Sequence, residues 1–264
     1  MIDRGSGTPV VLIPGIQGRW EWMAPTVDAL AKRCRVLSFS LSDEPTSGAA
    51  VDERAGFDAY LQQVEDALQR ANVERAILIG VSYSGLIATE FACRYPHRVR
   101  GLVLASALPP GWQPDARVRF YMRAPVLLAP LFALTSPMRM LPELRAAMPI
   151  GRRIRFVTSL LARSLFARVS PSRMARRVRW IERYGFSNAA AIQIPALIVT
   201  GDDHLDRIVA PTLTRKYLEL WPHARYHRLA STGHIGSVTK AAEFALLVST
   251  FANEIGADAE RISA

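Results

Sequence analysis

Cysteine and lysine are scarce in this sequence of 264 residues, which has two cysteines and three lysines beside thirty arginines. Two cysteines cannot build a disulfide framework or a cysteine metal site, and Cys34 and Cys93 are predicted to be free, buried thiols. No other spacing typical of metal ligands occurs. Residues 1–7 lack the apolar stretch of a signal peptide, so a cytoplasmic location is expected.

Extended apolar runs are also missing. Residues 124–134 form an apolar run of eleven residues that contains two prolines, Pro125 and Pro130. This run is too short to cross a bilayer and is better suited to lining an apolar substrate pocket. Half of all residues are nevertheless hydrophobic, so the chain can bury a substantial core and is not expected to be disordered.

Short apolar runs alternate with helix-like segments along most of the chain. Strands that alternate with helices form a parallel sheet with helices on both faces. We therefore predict an α/β fold with a mostly parallel central sheet of about six strands flanked by helices, with room for one short extra strand at the N-terminus. The predicted strands are 8–13, 35–40, 75–81, 99–106, 195–200 and 224–229, and the predicted helices are 21–33, 57–71, 84–95, 211–221 and 241–255.

A serine lies between small residues where one predicted strand gives way to a helix, in the sequence Gly-Val-Ser-Tyr-Ser-Gly at residues 80–85. A serine on so sharp a turn has strained backbone angles, so the residues two positions away must be small, as Gly80 and Ser84 are. The turn lifts the hydroxyl of Ser82 above the sheet edge, next to a helix N-terminus whose N–H groups stabilise negative charge. This is the pattern of a nucleophile elbow. Chance matches to it are common, so a histidine and an acid are needed as well.

The histidine is predicted to be His234, one of five in the chain. It lies in a loop after the predicted strand 224–229, with Gly233 and Gly236 beside it, and such a loop can carry an imidazole to the sheet edge. The other four histidines lie beside prolines, within a strand pattern or inside the loop that carries the acid.

Three aspartates that follow the predicted strand 195–200 compete for the acid. Asp206 is favoured because apolar residues and Pro211, a suitable helix start, follow it and anchor the loop. Asp203 remains the alternative. Asp202 is more suited to a hydrogen bond within the turn.

Ser82, Asp206 and His234 thus each follow a predicted strand, in the order that the α/β-hydrolases use. Residues 10–18, Val-Val-Leu-Ile-Pro-Gly-Ile-Gln-Gly, resemble the strand and oxyanion loop of that superfamily. On these motifs the chain resembles a serine-nucleophile, esterase-like member of the α/β-hydrolase superfamily with a helical lid.

The resemblance implies that the backbone amides of Ile16 and Tyr83 form the oxyanion hole. The chain has Pro14 where histidine is usual in the family, and Gln17 is a second candidate donor. A backbone donor does not require the histidine, so the hole is expected to persist.

Other side chains near this loop have two interpretations each. Gln17 and Trp20 are candidate residues of a substrate pocket. Trp20, together with Trp22, forms one wall of that pocket or packs at the start of a helix. Asp43 and Glu44 are turn residues or reach the edge of the sheet where ligands bind.

Charge changes abruptly in residues 109–190, called the insertion below, which contain fifteen arginines against three acidic residues, a net charge of +12. The remainder carries 18 basic and 20 acidic residues, a net charge of −2. The resemblance implies that residues 1–108 and 191–264 are the hydrolase core and that the insertion is an Arg-rich helical cap. Its helix-like stretches, 154–169 and 174–184, alternate apolar and arginine positions, so their apolar faces are expected to cover the site.

This basic surface has three interpretations. A solvated helical face is favoured, because arginine replaces lysine throughout the chain. Peripheral membrane contact is second, since basic amphipathic helices suit an interface. Nucleic acid is not expected, because no recognised binding module is present.

The function implied by the resemblance is hydrolysis of a carboxylic ester with a fairly apolar acyl group through an acyl-enzyme, without a cofactor. Thioesterase, lactonase, acyltransferase, carbon–carbon hydrolase and perhydrolase activities use nearly the same triad and remain alternatives. A non-catalytic ligand- or membrane-binding protein is the alternative from another class. The sequence leaves the oligomeric state open.

Overall fold

Seven strands form one sheet in the computed structural model, which describes residues 1–48 and 54–263, without the side chains of residues 164, 165 and 258–263. In chain order they are β1 (Ile2–Arg4), β2 (Pro9–Ile13), β3 (Arg35–Ser38), β4 (Ala76–Val81), β5 (Val99–Ala105), β6 (Ala196–Thr200) and β7 (Arg225–Arg228). Across the sheet the order is β1-β3-β2-β4-β5-β6-β7, and each neighbouring pair is parallel except β1 with β3. The predicted α/β fold is therefore confirmed, and β1 is the short N-terminal strand added to the six parallel ones.

Helices follow most strands. They are α1 (Ala24–Leu30), α2 (Asp58–Arg70), α3 (Ser84–Arg94), α4 (Ala116–Arg123), α5 (Ala129–Ala147), α6 (Ile150–Phe166), α7 (Pro171–Arg183), α8 (Pro211–Leu220), α9 (Gly236–Thr239) and α10 (Ala241–Ser263). The predicted helix 21–33 is divided, because a short 3-10 turn precedes α1. Within residues 1–48 and 54–263, no helix combines the length and the apolarity needed to cross a membrane.

Two apolar clusters cover the two faces of the sheet, because successive residues of a strand point to opposite sides. Val10 and Leu12 pack with α1 and α10 on one face. Val11 and Ile13 pack with α2, α3 and α8 on the other. Each of these four side chains is fully buried, and such burial contributes about 1.5–3 kcal/mol per large aliphatic residue. The parallel strands are thereby held with their carboxyl ends at one edge, which gathers the loops that follow β4, β6 and β7.

The cysteines lie in these layers as free thiols. Cys34 is buried and Cys93 is half-buried, and neither forms a disulfide. The thiol of Cys93 has a pKa raised to about 11 by its burial and by the charge of Glu90.

The insertion contains four helices, α4 to α7, between β5 and β6. Helices α6 and α7 correspond to the helix-like stretches identified in the sequence. The sequence analysis does not predict α4 or α5. For α5 the reason is that proline normally ends a helix, whereas this helix continues through Pro137 and Pro142.

The apolar run 124–134 does not line a pocket as expected. Val126, Leu127 and Leu134 have exposed side chains. The side chains are exposed because α5 packs on the protein mainly near its C-terminal end, where Glu143 and Leu144 are its buried residues. The earlier part of this helix therefore presents apolar side chains to solvent.

Candidate active site

Ser82 occupies the tight turn between β4 and α3. Its backbone φ is +58°, in the left-handed region that residues other than glycine rarely adopt. A methyl group built on Gly80 would lie 2.7 Å from the carbonyl oxygen of Ser84, so only glycine fits there. The hydroxyl of Ser84 accepts a hydrogen bond from the amide of Val81 at 2.8 Å and donates to the carbonyl of Ile13 at 2.8 Å. The surrounding structure thus holds Ser82 in a strained conformation.

The predicted oxyanion loop lies against this turn. A methyl group built on Gly15 would lie 3.7 Å from Cβ of Ser82 and 3.9 Å from Oε1 of Gln17. In the described part of the chain, the amides of Ile16 and Tyr83 donate hydrogen bonds to no protein acceptor. Both donors are therefore available to an anion bound beside Ser82.

The loops after β6 and β7 bring Asp206 and His234 together. Oδ2 of Asp206 lies 3.2 Å from Nδ1 of His234. Oδ1 of Asp206 accepts hydrogen bonds from the amides of Ile208 at 3.0 Å and Val209 at 2.9 Å. These bonds fix the carboxylate, and the carboxylate in turn fixes the orientation of the imidazole.

The two groups stabilise each other's charged forms. Burial raises the pKa of the Asp206 carboxyl, but the charge of His234 and the hydrogen bonds to the carboxylate outweigh burial and hold the pKa below its usual range. Burial lowers the pKa of His234, but the charge and hydrogen bond of Asp206, with the charge of Glu143, outweigh it and raise this pKa. His234 is therefore a stronger base than a free histidine.

The other two aspartates of the acid loop have different partners. Asp203 is exposed and forms an ion pair with Arg215 at 2.8 Å, which lowers the pKa of the Asp203 carboxyl. Asp202 accepts a hydrogen bond from the amide of Ser231 at 2.8 Å and so joins the acid loop to the histidine loop. The structure thus brings Asp206, and not Asp203, to His234.

Glu143 of α5 also reaches the histidine loop. The sequence analysis includes this residue only in the net charge of the insertion. It is 1% exposed. Its Oε2 accepts a hydrogen bond from the amide of Ile235 at 3.1 Å, and its Oε1 accepts one from Oγ1 of Thr239 at 3.3 Å. Because Glu143 and Ile235 are 92 residues apart in the chain, no local pattern could have paired them.

A second buried ion pair network joins α7 to the oxyanion loop. Arg177 is fully buried and donates at 2.6 Å to both Asp43 and Glu44, which are also buried. It also donates to the carbonyl of Ile16 at 2.6 Å. Gly18 leaves room for this contact, since a methyl group there would collide with the guanidinium. Asp43 and Glu44 therefore serve as ion-pair partners of an arginine of the insertion.

Replacing Arg177 with methionine is expected to lower the free energy of unfolding by about 3–5 kcal/mol, because two carboxylates would stay buried without their main partner. Urea denaturation would measure the loss. Arg183→Met is the matched control, since Arg183 is exposed on the same helix. Equal losses in the two variants would show that the network contributes nothing particular to stability.

The two tryptophans after the oxyanion loop are half-buried in a 3-10 turn. Trp20 packs on the α1 and α10 side of the sheet, with the guanidinium of Arg4 at 6.0 Å from its ring centroid. Nε1 of Trp22 donates to the carbonyl of Ala167 in the insertion at 3.1 Å. These contacts fit packing at a helix start, and a substrate-pocket role for Trp20 or Gln17 stays a prediction.

Comparison with known proteins identifies relatives over nearly the whole chain. A sequence model of the alpha/beta hydrolase family matches residues 10–245. The chain is 30% identical to 2-hydroxymuconate semialdehyde hydrolase of Pseudomonas sp. (strain CF600), over 99% of this chain and 92% of that protein. It is 26% identical to poly(3-hydroxyalkanoate) depolymerase of Ectopseudomonas oleovorans, over 92% and 84%. The solved esterase of Exiguobacterium antarcticum has the same fold, with a TM-score of 0.76, 17% identity, and coverage of 95% of this chain and 94% of that one.

Proposed function

Because this chain belongs to the alpha/beta hydrolase family, we propose that it is a serine hydrolase that cleaves carboxylic esters with a fairly apolar acyl group. The observation that carries the proposal is the contact of 3.2 Å between the buried carboxylate of Asp206 and the imidazole of His234, at the sheet edge where the strained turn presents Ser82. A nucleophile, a base and a group that orients the base are the parts that acyl transfer needs.

In the proposed mechanism, His234 removes the hydroxyl proton of Ser82 as its oxygen attacks the ester carbonyl. Asp206 holds the imidazole in the required tautomer and stabilises the imidazolium. The amides of Ile16 and Tyr83 bind the negative oxygen of the tetrahedral intermediate. His234 then protonates the departing alcohol, and the acyl group remains on Ser82. Water, deprotonated by the same histidine, releases the carboxylic acid, and no cofactor takes part in these steps.

The insertion is proposed to be the cap of this enzyme, with residues 1–108 and 191–264 as the core. Two contacts support this division of roles. Glu143 binds the backbone beside His234, and Arg177 binds the carbonyl of Ile16. Helices of the insertion therefore support both the base and the oxyanion loop.

A second candidate reaction is carbon–carbon hydrolysis with the same residues. Some relatives in the family act on carbon–carbon or carbamate bonds, and the relative with 30% identity is named for 2-hydroxymuconate semialdehyde. The relative named for poly(3-hydroxyalkanoate), a polyester, favours ester cleavage instead. Ester hydrolysis and carbon–carbon hydrolysis would use the same triad, so the preferred substrate is what distinguishes them.

A substrate panel tests the proposal. Chromogenic esters of increasing acyl length would be assayed beside a thioester, a lactone and 2-hydroxymuconate semialdehyde. The highest kcat/KM is expected for an ester with an apolar acyl chain. A much higher value for the semialdehyde would replace ester hydrolysis with the second candidate.

A pH profile tests the part that Glu143 plays in setting the basicity of His234. The charge of Glu143 raises the pKa of His234, so Glu143→Gln should lower that pKa. Since His234 must be neutral to accept a proton, the acidic limb of kcat/KM should move to lower pH in the variant. Glu182→Gln removes an exposed carboxylate of the insertion and should leave the limb in place. An unchanged limb in Glu143→Gln would contradict the electrostatic coupling.

A further inference from the structure

Helix α5, together with Leu127 two residues before it, presents an apolar stripe to solvent. The stripe consists of Leu127, Leu131, Leu134, Met138 and Leu141, which are between 36% and 80% exposed. Their spacing alternates between four and three residues, so they lie along one face of the helix. A monomeric protein rarely leaves so continuous an apolar face uncovered.

Helix α6 has a second stripe of the same kind. Ile150, Ile154 and Val157 follow the same spacing and are all exposed. The opposite side of the helix faces the protein, since Phe156 packs against the cluster beneath α1. Helices α5 and α6 contact each other and are joined by only two residues.

Exposed arginines lie on α5, on α6 and at the end of the preceding helix α4, and Arg145 continues the line of the α5 stripe four residues after Leu141. Arg123, Arg145, Arg152 and Arg155 are exposed and, within the described residues, pair with no carboxylate. Of the three acidic residues of the insertion, Glu143 is buried against the histidine loop and Asp115 pairs with Arg117. The outer face of the insertion is therefore apolar and cationic at once.

We propose that the faces of α5 and α6 that carry these stripes bind the surface of an anionic phospholipid bilayer. The apolar side chains enter the boundary between headgroups and acyl chains, and the arginines bind lipid phosphates. A second copy of the chain fits this surface poorly, since each copy has a net charge of +12 on the insertion and like charges repel. The exposed apolar stripes reverse the sequence-based preference for a purely solvated face, which required the apolar residues to point inward.

Vesicle flotation tests the proposal with the intact chain. The protein would be mixed with vesicles of phosphatidylcholine alone, or with about one third phosphatidylglycerol, at low and at physiological ionic strength. Binding is expected to the anionic vesicles and to weaken as salt rises, because exposed charges are screened over about 10 Å at 0.1 M.

Two sets of variants separate the apolar and the cationic contributions. Arg145→Gln with Arg155→Gln should weaken partitioning to anionic vesicles about fivefold for each arginine. Leu134→Gln with Ile154→Gln should weaken it about tenfold or more through lost burial of apolar surface. The controls are Arg33→Gln with Arg70→Gln for charge and Leu246→Gln for exposed apolar surface, all outside the insertion.

Equal binding by the stripe variants and their controls would overturn the proposal, as would absence of flotation with anionic vesicles at low salt. Sedimentation velocity without lipid gives an independent reading. A dimer that the Leu134 and Ile154 substitutions abolish would assign the surface to a second copy and also overturn the proposal. Because the variants lie away from the triad, turnover of a water-soluble ester should be unchanged, which checks that they fold.

Discussion

Replacing Ser82 by alanine is expected to lower kcat for ester hydrolysis by about four to six orders of magnitude, since removal of a triad nucleophile leaves only binding and oxyanion stabilisation. The free energy of unfolding should change little. The alanine methyl group occupies the space of the serine Cβ, and the turn is held by Ser84 and Gly80 instead. Steady-state kinetics with a chromogenic ester and urea denaturation would measure the two quantities.

Ser106→Ala is the matched control for this prediction. Ser106 is also buried, follows the neighbouring strand β5, and has a positive φ of 44°. A shared loss of activity would mean that any change at this sheet edge is damaging. Activity lost only in Ser106→Ala would transfer the nucleophile to Ser106.

Replacing Asp206 by asparagine is expected to lower kcat by about 10⁴-fold, because an amide in its place favours the wrong tautomer of His234. Asp203→Asn should change kcat by no more than a few fold, since Asp203 is exposed and pairs with Arg215. Its stability cost should also be small, at about 0–1 kcal/mol for a surface ion pair. Both variants carry the same chemical change three residues apart, which makes the comparison a direct one.

The reverse ranking of the two asparagine variants would assign the acid to Asp203. It would also require the loop after β6 to adopt a different register in solution. Loss of folded structure in Asp206→Asn would appear in urea denaturation and would be distinguished from loss of catalysis.

The sequence predicted those features that depend on local pattern. The strained turn at Ser82 requires small neighbours within two residues, so it is visible in the printed sequence. The carboxyl ends of parallel strands meet at one edge, so His234 and the acid loop could be placed there from the predicted order of strands alone. The sequence favours Asp206 over Asp203 because apolar residues that anchor the loop follow Asp206. In the structure, the backbone amides of two of these residues, Ile208 and Val209, donate hydrogen bonds to the Asp206 carboxylate.

Contacts between the insertion and the core could not be predicted in the same way. Glu143 and Arg177 meet partners about 90 to 160 residues distant in the chain, and neither lies in a motif. Helical periodicity identifies an apolar face but does not give its direction, because the sequence pattern is the same whether the face packs on the core or is exposed to solvent. For this reason the expected inward direction of the apolar faces holds for one helix of the insertion and not for another. It holds for α7, which buries Ala175, Val178 and Ile181. It is wrong for α6, where Ile154 and Val157 are exposed.

Covalent labelling identifies the nucleophile of the proposed hydrolase. A fluorophosphonate reacts with the activated serine of a serine hydrolase, and mass spectrometry of the digested protein locates the adduct. We expect one adduct on Ser82, in the tryptic peptide of residues 76–94, which is absent from Ser82→Ala and His234→Ala and retained in Ser106→Ala. An adduct on another residue, or no adduct in an enzyme that turns over esters, would contradict this assignment.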